Sequence, residues 1–104
     1  MKVAIIMIGL TFNELYDKLY YGADIDFRFN SSFFHITAGA EKNGHGITVI
    51  EYNKHPDEKS TYHNIIYDKM MLNANESVDC FLQSPLFFGK SFYDIQDNVE
   101  IIYS

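Results

Sequence analysis

The chain has 104 residues, 47% hydrophobic and 21% charged, which is the composition of one globular domain with a core of its own rather than of a disordered segment. Its formal charge of −6, with eight basic residues scattered singly, excludes the concentrated Lys and Arg that direct nucleic-acid binding or an anionic membrane surface requires. One cysteine, Cys80, excludes an intrachain disulfide and fits a reducing, cytoplasmic setting.

Residues 1–9 read as a short buried strand or a loose extension, and Met7 is an alternative start. The apolar run from Val3 to Leu10 is too short for a membrane span and lacks a small-x-small cleavage site. A helix begins at Thr11: Thr11-Phe12-Asn13-Glu14 is a capping box, with Leu10 and Leu15 as its hydrophobic staple. Phe12, Leu15, Tyr16, Leu19 and Tyr20 follow the spacing of one apolar helix face, and Gly22 ends it.

A meander of short strands follows. Ile25, Phe27 and Phe29 alternate with Asp24, Asp26 and Arg28, the period of a half-buried antiparallel strand. Asn30-Ser31-Ser32 turns the chain into a second strand, Phe33 to Ala38. Asn43-Gly44 marks a hairpin into a third, Ile47 to Tyr52, because both residues tolerate positive φ. A polar loop covers Asn53 to Lys59. Ser60 to Leu72 suits either a helix or a fourth strand; the strand is favoured because a meander gains from another partner. A short helix from Ser77 to Gln83 stops at Ser84-Pro85. Gly89-Lys90-Ser91 is a turn into a final helical turn capped by Ser91 and Asp94, and Val99 to Tyr103 is a closing strand. The expected fold is thus one α+β domain: an N-terminal helix, an antiparallel meander of three to five strands, short C-terminal helices and a closing strand.

No motif specifies a cofactor. Gly89-Lys90-Ser91 is the tail of a phosphate-binding loop, but its leading glycine position holds Ser84, followed by Pro85, and no buried strand precedes it. His35, His45, His55 and His63 stand at wide spacing; only His35 and His63 would meet, if their strands are neighbours, to offer imidazoles to a metal. Otherwise the histidines are surface and loop residues. Cys80, between Val78 and Phe81, reads as small core filling. Asp24 and Asp26 share a solvated strand face with Arg28. Aromatic residues fall on both faces of the second strand, so helices on one side only would leave Phe33 partly uncovered for the N-terminal segment, a second copy or a partner to cover.

The capped helix, the meander and the terminal Gly89-Lys90-Ser91-Phe92-x-Asp94-Ile95 unit together resemble small α+β proteins of low-GC Gram-positive bacteria and their phages. That resemblance implies a non-enzymatic binder: an anti-defence inhibitor of anti-CRISPR type, or an immunity protein against a toxin. The last third supports an acidic contact surface, since from Met70 onward five acids stand against one base, Lys90. The expected binding residues are Asp94, Asp97 and Glu100, with Glu76, Asp79 and an exposed Tyr93, facing the basic surface of a nucleic-acid-handling protein. The alternatives are a small metal-binding protein or enzyme using His35 and His63, and a structural homodimer or larger oligomer paired through strand edges.

Overall fold

The computed structural model describes residues 9–55, 58 and 63–104. The expectations for residues 1–8, and for the ends of the Asn53–Lys59 loop and the Ser60–Leu72 segment that fall in 56–57 and 59–62, lie outside them. Three helices and a five-stranded antiparallel sheet make the α+β fold, in the order α1 (Phe12–Tyr21), β1 (Ala23–Phe29), β2 (Ser32–Glu41), β3 (Gly44–Tyr52), β4 (His63–Met71), α2 (Ala74–Gln83), α3 (Phe92–Ile95), a 3₁₀ turn (Gln96–Asn98) and β5 (Glu100–Tyr103). Among the described residues no helix is long and apolar enough to cross a membrane.

Local chemistry sets most of these boundaries. Thr11 caps α1, its hydroxyl accepting from the Glu14 N–H while the Glu14 carboxylate accepts from the Thr11 N–H, both at 3.1 Å. The bond from the Thr11 N–H, with the Thr11 hydroxyl beside it, holds the Glu14 carboxyl below the usual glutamate range. Ser91 and Asp94 form a second capping box on α3. Asn73 caps α2, which therefore starts one turn earlier than the Ser77 expected from hydrophobic spacing alone. The β2–β3 hairpin turns on Lys42-Asn43, one residue before the Asn-Gly pair, with Gly44 already in β3 at φ 154°. Gly44 lies so close to the Met71 carbonyl that an added Cβ there would overlap it.

The sheet order is β4-β3-β2-β1-β5. β1 to β4 are a simple meander, and the segment 60–72 is strand where described. β5 returns to the opposite edge, so the chain between β4 and β5 must cross the whole sheet, roughly 19 Å at the usual strand spacing. That crossing carries α2, the 84–91 loop and α3 over one face. It lays Phe87 and Phe92 against Phe27 and Phe34, with Phe81 packed on Phe87 and Phe92, all five buried and with neighbouring ring centroids 5.0–6.4 Å apart. Leu15 and Leu19 of α1 and Ile25, Ile36, Ile47 and Val49 of the sheet complete the core.

Two polar residues lie inside it among those described, His45 and Ser77. His45, expected at the surface, is 3% exposed in β3. Its Nε2–H donates to the Leu19 carbonyl at 2.7 Å, and its Nδ1 is 2.8 Å from the Ser77 hydroxyl. The Leu19 carbonyl belongs to the last turn of α1, where carbonyls lack an intrahelical partner. His45 thus joins the end of α1, the start of α2 and the sheet. His45→Ala leaves a cavity and two buried polar groups unpaired, and should lower stability by about 2–5 kcal/mol in urea unfolding.

Candidate functional site

Among the described residues, the other face of the sheet carries no helix. Register and alternation place three rows of side chains there. Glu100, Arg28, Phe33, Tyr52 and His63 form one, Tyr103, Asp26, His35, Ile50 and Ile65 the next, and Asp24, Thr37, Thr48 and Asp68 the third. Phe33 is half-buried, and its cover comes from within the chain: the His55 ring packs edge-on against it at 5.6 Å, and against Tyr103 at 6.4 Å. The described part of the segment after β3, Lys54, His55 and Glu58, therefore folds back over the open face. It roofs a cavity of about 390 Å³ lined by Asp26, His35, Tyr52, Lys54, His55, Glu58 and His63.

His35 and His63 do line one cavity, but β3 runs between their strands and they stand in different rows. His35 is engaged by Asp26 and Thr37, and the His63 ring lies 6.0 Å from that of Tyr52. Among the described residues no group of three or more His, Cys, Asp or Glu is placed to hold a metal ion.

The six residues expected to form an acidic contact surface do not share one place. Asp79 and Tyr93 come together on the helical layer. The Tyr16 hydroxyl of α1 donates to the Asp79 carboxylate at 3.1 Å, and Tyr93 stacks on Phe12 at 5.4 Å. Burial and the bond to Asp79 hold the Tyr16 hydroxyl above the usual tyrosine range. Asp94 closes the capping box of α3 by accepting from the Ser91 N–H, and Glu76 sits in the first turn of α2 beside the capping Asn73. These four contribute to helix ends and to the packing of α1, α2 and α3. Asp97 and Glu100 lie elsewhere, at the end of the sheet where β1 turns into β2. With Arg28, Asn30 and Ser31 they line a depression of about 520 Å³, and Glu100 pairs with Arg28 at 3.1 Å.

That same end carries a feature absent from the expectations. Phe87 and Lys90 exchange two backbone hydrogen bonds, 3.0 and 3.1 Å, around Phe88-Gly89. Phe88 has φ 55° and Gly89 φ 80°, the signature of a type I′ turn. Glycine and asparagine are the usual residues there; a bulky side chain at positive φ costs about 1–2 kcal/mol. Phe88 is nevertheless 59% exposed, resting on Phe29 with ring centroids 6.0 Å apart. The other two non-glycine residues at positive φ among those described, Asn30 and Ser31, directly follow Phe29. Backbone strain and an exposed aromatic thus coincide with Asp97 and Glu100. The Gly89 turn signal is visible in the sequence, but nothing there marks the residue before it as strained.

Compared with known protein families, with curated proteins and with solved structures, the chain matches none.

Cys80 is half-buried on α2, with its sulfur 3.6 Å from the Lys69 ammonium. A hydrogen bond from Tyr67, and to a lesser degree Lys69, hold its thiol below the usual cysteine range, and the same bond and burial raise Tyr67. In Tyr67→Phe the thiol should titrate higher, and its alkylation by iodoacetamide near neutral pH should slow.

Proposed function

We propose that this protein is an acidic protein-binding module whose contact surface is the end of the molecule built by Phe88, Asp97 and Glu100. The observation that carries the reading is Phe88: an aromatic ring held outward on a turn whose backbone disfavours it. Strain of that kind persists where the surroundings impose it, and it concentrates at sites of function. An exposed aromatic, resting on Phe29 at the same end of the sheet as a polar depression, has the form of an interface anchor with its rim. The net charge of −6 favours approach to a basic surface, and the carboxylates of Asp97 and Glu100 would meet it with the charge that nucleic-acid phosphates carry. An inhibitor of a basic, nucleic-acid-handling protein fits this chemistry, in the manner of an anti-defence or immunity protein. Asp79, Tyr93, Asp94 and Glu76 then support the surface by fixing the helices behind it.

The reading is tested by capturing partners from lysate at low and high salt and measuring the affinity of the recovered protein for variants. Phe88→Ala should weaken binding by at least about tenfold. Asp97→Asn with Glu100→Gln should slow association and flatten its salt dependence. Unchanged affinity in both would exclude this surface. Phe88→Asn separates function from folding: it suits the type I′ turn, so it should abolish binding while raising stability by up to about 1 kcal/mol in urea unfolding.

A further inference from the structure

On the open face of the sheet, about 17 Å along β2 from the Asn30–Ser31 turn, three side chains from β1 and β2 form a relay. The Nδ1 of His35 lies 2.7 Å from Asp26 Oδ1, and its Nε2 lies 3.1 Å from the Thr37 hydroxyl. The Asp26 side chain is only 16% exposed and that of His35 25%, whereas Thr37 is exposed. A carboxylate only accepts, so in the neutral ring Nδ1–H donates to Asp26 and the Nε2 lone pair accepts from the Thr37 O–H. This is the order carboxylate, imidazole, hydroxyl that activates a nucleophilic oxygen. The Asp24 carboxylate, 3.6 Å from Nε2, has no proton to give and so does not replace Thr37 as the partner of the neutral ring.

The geometry points to Thr37 as an acyl acceptor that reacts with small, uncharged activated esters. Thr37 stands at a groove of about 270 Å³ that continues over Gly39 and Gly46, paired across β2 and β3, so that its floor there is bare backbone. The Glu41 carboxylate lies over Gly46 at the far end and Asp24 pairs with Thr37 at the near end, which disfavours anionic esters. Thr37 Oγ1 attacks the acyl carbon and its proton passes to His35 Nε2. The bond to the alcohol or phenol breaks, and the departing oxygen takes that proton. Water, deprotonated by the same nitrogen, then cleaves the Thr37 ester, releasing the acid and restoring the hydroxyl. Asp26 holds the imidazolium between the two transfers. At Thr37 β2 is paired on both sides, with Asp24 and with Thr48, so the backbone beside the nucleophile is committed to the ladder and offers no oxyanion donor. Acceleration therefore comes from base catalysis alone, on the order of 10²–10⁴, and the acyl group accumulates on Thr37.

The probe is p-nitrophenyl acetate, followed by nitrophenolate release and by peptide mass spectrometry of the acetyl group. Acetyl should map to Thr37 in the native protein and to the new serine in Thr37→Ser. Thr37→Ala and His35→Gln should each lose at least about tenfold in release rate. Asp26→Asn, which removes a positioning residue, should lower the maximal rate and leave the half-saturating ester concentration unchanged. An unchanged rate in Thr37→Ala, or acetyl found only on lysines, would overturn the assignment. Neither result bears on binding through Phe88, which lies outside the relay.

Discussion

Phe27 and Phe34 face each other across β1 and β2, their rings nearly parallel and 5.0 Å apart, and the rest of the molecule is arranged over that pair. Phe87 and Phe92 close on it edge-first, the geometry aromatic quadrupoles prefer, and Phe81 packs against both of them from α2. With β4 and β5 on opposite edges, the segment between them has to cross the sheet, and it does so over this face. Two of the helices that cover the core, α2 and α3, therefore belong to the segment that closes the sheet, and α1 joins them from before β1.

That constraint reaches the surface. Because Phe87 is drawn into the core and the chain must return within a few residues to place Phe92 there too, it reverses in the tight turn Phe87–Lys90. Phe88 is left at the tip with its ring outward. Two buried neighbours in sequence thus impose the conformation of an exposed one, and the aromatic core and the proposed anchor are parts of one device. His45 plays a comparable part among the helices: by giving a hydrogen to an end-of-helix carbonyl and meeting the Ser77 hydroxyl, it ties α1 and α2 to β3 where apolar contact alone would let them slide.

A one-sided sheet also leaves a face that must be made compatible with water. Here it is tiled with cross-strand polar pairs, Arg28 with Glu100, Asp26 with His35 and Thr48 with Asp68, and its aromatic strip is capped by His55. Asp26 and His35 are directly opposite because a two-residue turn at Asn30-Ser31 pairs Phe29 with Ser32, and the register follows from there. A turn of three residues, Asn30 to Ser32, as residue types suggest, leaves the cross-strand partners undetermined; the two-residue turn is what fixes them.

What the sequence determined by itself is local: the Thr11–Glu14 and Ser91–Asp94 boxes, the apolar face of α1, the period-two strands and the α+β class, each resting on interactions between residues a few positions apart. The strand identity of 63–71 followed from the need of a meander for another partner, already a weaker argument. Only the tertiary structure decided that β5 joins β1, that His45 is buried, and that the acids of the last third divide among helix caps, helix packing and the Asp97–Glu100 corner. The reason is physical. Caps and periodicity are short-range and leave residue-type signatures, whereas a side chain's neighbours across the core depend on the path the chain takes over the sheet, which no local pattern encodes.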